Sequence, residues 1–262
     1  MRALRGRVLA IGGSDPSGGA GIQADLKTIA AFGAYGTTAI TALTVQDTTS
    51  VTDAIALPAR FVHDQIVAVL GDIGADAIKT GMLADPAIVE AVCDALAAFA
   101  PVPLVVDPVL RATAGRPLLA EAALAVLKRR LLPLASLLTP NLPEAETLCG
   151  MAIPDLPTMH HAAEILLTLG VPAVLVKGGH LPGDTVVDLL ATEQGVEEFA
   201  APRLNTRHTH GTGCTLGSAI ATGLAQGMTL RDAVLRARVY VRTAILAAPG
   251  FGRGHGPLNH GV

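Results

Sequence analysis

Short, uninterrupted apolar runs alternate with longer segments of helical period along nearly the whole chain, and this order constrains the fold more than any other feature. Residues 8–11, 35–45, 76–78, 103–106, 135–138 and 173–176 read as strands, because they are brief, apolar and rich in Val, Ile, Leu or Thr. Residues 22–32, 60–70, 118–131, 143–149, 159–169, 212–225 and 230–246 carry helical spacing, and Pro86 opens a further helix where a missing N–H costs little. Residues 186–191 and 196–200 form a hairpin around Gln194-Gly195. Continuous apolar strands alternating with helices require an α/β fold: a central, mostly parallel sheet with helices on both faces. No linker or internal repeat divides the 262 residues, so the expectation is one domain over 1–262.

Ligands of such sheets sit outside the carboxyl ends of the strands. Those ends are chemically rich here. After the first strand comes Gly12-Gly13-Ser14-Asp15-Pro16-Ser17-Gly18-Gly19-Ala20-Gly21, and the second ends in Val45-Gln46. Lys79-Thr80-Gly81-Met82, Asp107-Pro108, Thr139-Pro140-Asn141-Leu142-Pro143-Glu144 and Lys177-Gly178-Gly179-His180 follow later strands.

Four groups of residues are candidates for chemistry. Gly211, Thr212, Gly213 and Cys214 lead straight into an apolar helix, where converging N–H groups and the helix dipole favour an anion. An ordinary Gly-rich turn capped by Thr212 explains the same residues. Cys214 at a helix start has the setting in which a thiol's pKa falls, whereas Cys93 and Cys149 read as packing. Asn141 and Glu144, one turn apart, join Asp107 as oxygen ligands suited to Mg2+, or else form a capping box. Lys177 is placed to neutralise phosphate, unless it is a solvated turn lysine. Gln46 offers a donor and an acceptor side by side, the complement of an aminopyrimidine edge, or it simply bonds to backbone. His208 and His210 read as structural, and His160, His161, His255 and His260 receive no role.

The charge balance, 19 basic against 22 acidic residues for a net −3, holds no Lys/Arg run and argues against nucleic acid. Three cysteines without a CxxC pair encode neither a disulfide framework nor a structural zinc site. Residues 28–46 and 208–230 lack charged side chains, but five Thr and two Gly in the first, and two His, a Gln and five Gly in the second, are too polar for lipid. Arg2, Arg5 and Arg7 precede only residues 8–11 before Gly12-Gly13, too short for a signal-peptide core. The expectation is a cytoplasmic protein with no membrane partner.

The segment Gly13-Ser14-Asp15-Pro16-Ser17-Gly18-Gly19-Ala20-Gly21-Ile22-Gln23-Ala24-Asp25 resembles the N-terminal signature of the hydroxymethylpyrimidine/phosphomethylpyrimidine kinases of thiamine biosynthesis, in the ribokinase superfamily. Thr41-Ala42-Leu43-Thr44-Val45-Gln46, Lys79-Thr80-Gly81-Met82-Leu83, Val105-Val106-Asp107-Pro108-Val109, Thr139-Pro140-Asn141-Leu142-Pro143-Glu144-Ala145-Glu146, Val174-Leu175-Val176-Lys177-Gly178-Gly179-His180 and His208-Thr209-His210-Gly211-Thr212-Gly213-Cys214-Thr215 continue the likeness in order, from residue 8 to about 225. It implies a ribokinase-like fold with a reduced lid. It also implies ATP- and Mg2+-dependent phosphorylation of 4-amino-5-hydroxymethyl-2-methylpyrimidine, then of its monophosphate.

By the same resemblance, Gln46 and Val45 hold the pyrimidine, with Met82 and Gly12 beside it and Asp25 touching substrate or its phosphate. Lys177, Asp107 and Asn141 serve ATP, and Glu144 with Asp107 serves the metal. Gly211, Thr212, Gly213 and Cys214 form the anion hole, with Cys214 where related sugar kinases carry an aspartate base. Residues 35–53 supply a flap and a homodimer interface. Two segments depart from the family pattern: Leu110-Arg111-Ala112-Thr113-Ala114-Gly115, and Thr80 within Lys79-Thr80-Gly81. Competing readings are a pyridoxal or pyridoxine kinase of the same fold, and a non-catalytic pyrimidine sensor.

Overall fold

The computed structural model describes residues 5–111 and 118–262. Part of the departing segment at 110–115 therefore lies outside the described residues.

Nine strands form one sheet in the order β3-β2-β1-β4-β5-β6-β7-β8-β9. They are β1 (Arg7–Ser14), β2 (Tyr35–Gln46), β3 (Val51–Ala56), β4 (Ala77–Thr80), β5 (Leu104–Val106), β6 (Leu137–Leu138), β7 (Ala173–Val176), β8 (Thr185–Thr192) and β9 (Gly195–Pro202). The six strands β2, β1, β4, β5, β6 and β7 run parallel; β3 at one edge and the β8–β9 hairpin at the other are antiparallel. The middle strands β1, β4, β5 and β7 are sealed almost throughout, as strands covered on both faces must be, and in β4 the sealed residues include Lys79 and Thr80.

Among the described residues, eight α-helices cover the sheet. On one face, α2 (Ala59–Asp72), α3 (Pro86–Ala97), α4 (Glu121–Val126), α5 (Leu142–Cys149) and α6 (Leu156–Leu167) bury Val62, Ile66, Ile88, Val92, Ala123, Leu148, Met159 and Leu166 against Leu9, Ile11 and Val106. On the other, α1 (Gly21–Ala31), α7 (Thr212–Ala225) and α8 (Leu230–Leu246) bury Ile29, Ala219, Ile220, Val234 and Tyr240 against Val8, Ala10 and Val105. Each fully buried Leu or Ile contributes about 1.5–3 kcal/mol, so two such layers clamp the sheet between them. No helix among the described residues is long and apolar enough to cross a membrane.

Several sequence expectations need correction. Strand β3 went unread, because Val51–Ala56 includes Thr52 and Asp53 on a largely exposed edge. Phe61 stands outward, 58% exposed, while Val62 and Ile66 turn inward. The helix expected over 118–131 begins at Glu121, widens into a π-helical turn at Leu127–Leu131 and tightens into a 3-10 turn at Leu132–Leu134. Pro133 cannot continue an α-helical ladder, and the chain breaks there. By contrast β7, α7 and α8 keep the boundaries that their pattern set.

The chain leaves β1 to build β2 and β3 on one side, then returns to place β4 on the other. That reversal opens a crevice at the carboxyl ends of β1 and β4, which is where such sheets bind ligands.

Candidate active site

Asp15, in the loop after β1, is 2% exposed. Its carboxylate accepts from the Ser17 N–H and the Ala20 N–H at 2.8 Å and from the Ser17 hydroxyl at 2.9 Å. Burial pushes the Asp15 pKa up, but hydrogen bonds from His210 and Ser17 overcome it and hold the carboxyl below its ordinary range. The loop thus closes around one ionised side chain. Its glycines allow a close approach to the helix opposite: a Cβ on Gly211 would lie 1.8 Å from the Gly19 carbonyl oxygen, and Gly211 has φ +84°. Only glycine fits both conditions.

Gly211 caps the start of α7 in the left-handed conformation. The Thr212 N–H turns back to the Thr209 carbonyl at 3.3 Å, and the Thr215 N–H bonds to Gly211. The N–H groups of Gly213 and Cys214 carry no backbone bond among the described residues and remain for a ligand. Of the four residues expected to form the hole, Thr212 therefore contributes position more than a free donor.

Lys177 and Asp107 stand beside this helix start. A Cβ on Gly213 would lie 3.2 Å from Lys177 Nζ and 3.4 Å from Asp107 Oδ2. Lys177 Nζ donates to Asp107 Oδ1 at 2.9 Å, and the Thr139 hydroxyl donates to the same oxygen at 3.2 Å. The side chains of Lys177 and Asp107 are only 15% and 3% exposed, so Lys177 is not a solvated turn lysine.

Asn141 and Glu144 form a full capping box at the start of α5: the Glu144 N–H donates to Asn141 at 2.9 Å and the Asn141 N–H donates to Glu144 at 2.8 Å. The structural alternative for this pair is thus realised. The carboxyl also answers to the site, because burial and the nearby Asp107 push its pKa up to about 7 against the pull of Lys177. Among the described residues no cluster of three or more His, Cys, Asp or Glu is arranged around a metal position. The donor set remains one of hard oxygens, fit for a cation carried mostly by phosphate and water.

Cys214 departs from expectation. Burial pushes its thiol up to about 11, against the opposing pull of Lys79 and a hydrogen bond from the Gly21 backbone. Removal from water outweighs the helix dipole. Asp25 is likewise not in the crevice. It is fully buried beneath it, accepting from Lys79 Nζ at 2.9 and 3.0 Å and from the Ser218 hydroxyl at 2.7 Å. Three hydrogen bonds and complete burial hold it below the crevice floor, away from the place expected for substrate or phosphate.

At the opposite wall Gln46 Nε2 lies 3.3 Å from His210 Nε2, and His210 Nε2 lies 2.8 Å from Asp15 Oδ2. His210 precedes Gly211, so Gln46 stands near the start of α7. Met82 is half-buried and would meet a Cβ on Gly13 through its sulfur at 2.9 Å, and its carbonyl accepts from the Thr41 hydroxyl at 2.5 Å. A Cβ on Gly12 would lie 3.8 Å from Gly81 Cα and from the Met82 nitrogen at the same end. Val45, however, is 60% exposed and points away from the sealed part of the site.

Three residues escaped the sequence reading. Lys79 is fully buried within a strand, and alternation alone does not reveal which lysine finds a partner 54 positions away. His210 was taken as structural, yet it joins two site loops. His260, given no role, lies 3.0 Å from the Thr215 hydroxyl and ties the C-terminal tail to α7; burial pushes it down to about 4, so it is neutral.

A parallel sheet with helices on both faces, a Gly-rich loop at its switch point, and a helix N-terminus flanked by Lys177 and Asp107 define a small-molecule kinase of the ribokinase-like fold. The model for the family described as phosphomethylpyrimidine kinase matches residues 15–259. A hydroxymethylpyrimidine/phosphomethylpyrimidine kinase of Streptomyces coelicolor is 47% identical over 97% of this chain and 94% of its own length. The "Thiamine biosynthesis bifunctional protein ThiED" of Geobacter sulfurreducens is 49% identical over 98% of this chain, which spans only 52% of that longer relative. Among solved structures, a phosphomethylpyrimidine kinase of Clostridium difficile superposes with TM-score 0.81 at 41% identity, covering 91% of this chain and 99% of the other. The Staphylococcus aureus pyridoxal kinase in complex with AMP-PCP and pyridoxal gives TM-score 0.90 at 34% identity, covering 99% of this chain and 94% of the other. The chain belongs to the phosphomethylpyrimidine kinase family.

Proposed function

We propose that this chain transfers the γ-phosphoryl group of ATP to the hydroxymethyl oxygen of 4-amino-5-hydroxymethyl-2-methylpyrimidine. A second transfer then converts the monophosphate to the diphosphate. The observation that carries the reading is the grouping of Lys177, Asp107 and the unpartnered N–H groups of Gly213 and Cys214 at one helix start, with Gln46 packed beside it next to His210.

In the transfer the alcohol oxygen bonds to the γ-phosphorus, the bond from that phosphorus to ADP breaks, and the hydroxyl proton passes to water. Charge spreads over the phosphoryl oxygens, so positioning and neutralisation provide most of the rate. The Gly213 and Cys214 N–H groups face that charge, as oxyanion-hole donors do. Lys177 contacts phosphate while Asp107 fixes its ammonium. Asn141 sets the start of α5, on which Glu144 is carried. Asp107 and Glu144 would hold Mg2+, which when bound neutralises phosphate charge. Cys214, neutral near pH 7, orients the hydroxyl. Gln46 reads the amino group and adjacent ring nitrogen, and Met82 and Gly12 flank the ring.

Further parts of the reading rest on other observations. One domain is supported by a continuous sheet onto which α7 and α8 pack back. A homodimer is supported by the exposed Leu43, Val45, Ile55 and Phe61 on the β2–β3 edge and α2. A cytoplasmic location accords with two soluble, diffusible substrates.

The pyridoxal kinase alternative draws on the TM-score of 0.90. The test is a steady-state assay with ATP and, in turn, the pyrimidine, its monophosphate and pyridoxal, with products identified by mass spectrometry. Phosphorylation of both pyrimidines in preference to pyridoxal supports the reading. Preference for pyridoxal, or ATP binding without transfer, overturns it.

A further inference from the structure

His210 Nε2 has two neighbours that make opposite demands. Asp15 Oδ2 lies 2.8 Å away and Gln46 Nε2 lies 3.3 Å away. A ring nitrogen either donates its proton or accepts with its lone pair; it cannot do both. Asp15 already accepts from Ser17 and Ala20 and is ionised, so it is an acceptor only. The Nε2 proton is therefore committed to Asp15, and the Gln46 amide N–H finds no lone pair on His210.

The other end of Gln46 is treated similarly. The Thr44 hydroxyl lies 2.9 Å from the Ser14 carbonyl oxygen and 3.2 Å from Gln46 Oε1. Its single proton goes to the shorter, backbone acceptor. Both functions of the amide are thus packed against the protein but not consumed by it. A hydrogen-bonding group left free in a pocket favours the ligand that satisfies it, because its desolvation has already been incurred in folding.

We infer that Asp15 and His210 are specificity-positioning residues: by fixing the Nε2-protonated form of His210, they keep the donor and acceptor of Gln46 available for the paired amino and ring-nitrogen groups of an aminopyrimidine. The inference rests on the pyrimidine reading given above. Without the negative charge of Asp15, the Nε2-protonated form loses its preference over the Nδ1-protonated one, in which Nε2 is an acceptor and draws one Gln46 N–H in competition with substrate. Neither side chain is hydrogen-bonded to the Gly213 or Cys214 N–H groups, so the larger effect falls on the pyrimidine.

The experiment combines nuclear magnetic resonance of 15N-histidine-labelled protein with kinetics of Asp15→Asn and of Asp15→Asn/His210→Phe. In the unsubstituted protein His210 should show a protonated Nε2 and a bare Nδ1. Asp15→Asn should raise the pyrimidine KM about tenfold, the loss of about one hydrogen bond's worth of binding, with the ATP KM unchanged. Adding His210→Phe removes the competing acceptor and should bring the pyrimidine KM back toward the starting value. A bare Nε2, equal rises in both KM values, or a double substitution worse than the single one overturns the inference. The tautomer measurement stands even if Asp15→Asn fails to fold. Failure of the unsubstituted enzyme to phosphorylate any aminopyrimidine would instead overturn the functional reading.

Discussion

Lys79 Nζ lies 2.9 Å from Asp25 Oδ1 with both side chains sealed from solvent. Burial alone would strip the Lys79 proton, but Asp25, and behind it Cys214 and Asp107, outweigh that and hold its pKa above the ordinary range. The pair fills the space between β4 and the first turns of α7, where a Cβ on Gly217 would lie 3.5 Å from Lys79 Cε. Ser218, one residue on, donates to Asp25 at 2.7 Å. A cation and its counter-ion thus fix the height of the helix whose N-terminus forms the anion site. Buried pairs add little net stability but cost much when half-removed.

Breaking that pair should therefore be severe. Lys79→Met leaves an uncompensated carboxylate and is expected to lower stability by about 3–5 kcal/mol. Combining it with Asp25→Leu should recover part of the loss. Urea unfolding of the single and double variants checks this, and additive losses would show that the two side chains do not act as a pair.

The carboxyl of Glu144 gives a pH signature. Its pKa is raised from 4.5 to about 7, so the folded state holds its proton more tightly than the unfolded chain does. Stability from this group is full below the unfolded value and is lost as pH rises through about 7. Glu144→Gln should remove that decline. Thermal unfolding of both proteins between pH 4.5 and 8 should give curves that diverge with pH, the variant being relatively more stable at the alkaline end. The same variant should need more Mg2+ for turnover, because charge is lost while shape is kept; an unchanged Mg2+ titration would leave Glu144 as a capping residue alone.

Replacing Gln46 by Leu removes both polar groups from the wall proposed to face the ring. Each substrate group left unpaired costs about 1–3 kcal/mol, so the pyrimidine KM should rise tenfold or more while the ATP KM stays near its starting value. Equal activity of both proteins at low pyrimidine concentration would remove Gln46 from the substrate site.

The architecture was legible because apolar runs such as residues 173–176, bounded by Pro172 and Lys177, can be nothing but buried strand, and because α7 and α8 keep a long, clean period. Strand β3 was not legible, since its polar residues serve an exposed edge where alternation carries no burial signal. In the site, the residues at strand ends could be gathered by topology alone, and Lys177, Asp107 and Gly213 do meet. What sequence could not supply was depth. Asp25 and Lys79 look as available as Asp107 and Lys177 until helix α7 is laid over them. Cys214 shows the same blindness, because a helix start lowers a thiol's pKa only where water or a nearby cation keeps desolvation small.

That depth decides what Cys214 does. With its pKa up at about 11, the thiol is neutral near pH 7 and cannot serve as a standing base. It can still accept a hydrogen bond and hold the hydroxymethyl group near the Gly213 and Cys214 N–H groups. Cys214→Ser, which keeps a small hydroxyl donor and acceptor, should retain kcat within about tenfold, and its pH–rate profile should keep the shape of the unsubstituted enzyme. Cys214→Ala removes the contact and should lose more. Gly213→Val places a side chain against Lys177 and Asp107 and obstructs the N–H groups themselves; it should cost more than either, since one lost oxyanion-type donor alone accounts for about 2.7–4 kcal/mol. The comparison is made by kcat over pH 6–9 together with the rate of iodoacetamide alkylation at residue 214, which should climb steadily across that range without levelling. A plateau in alkylation below pH 8, or a Cys214→Ser profile that flattens, would make the thiolate the base after all.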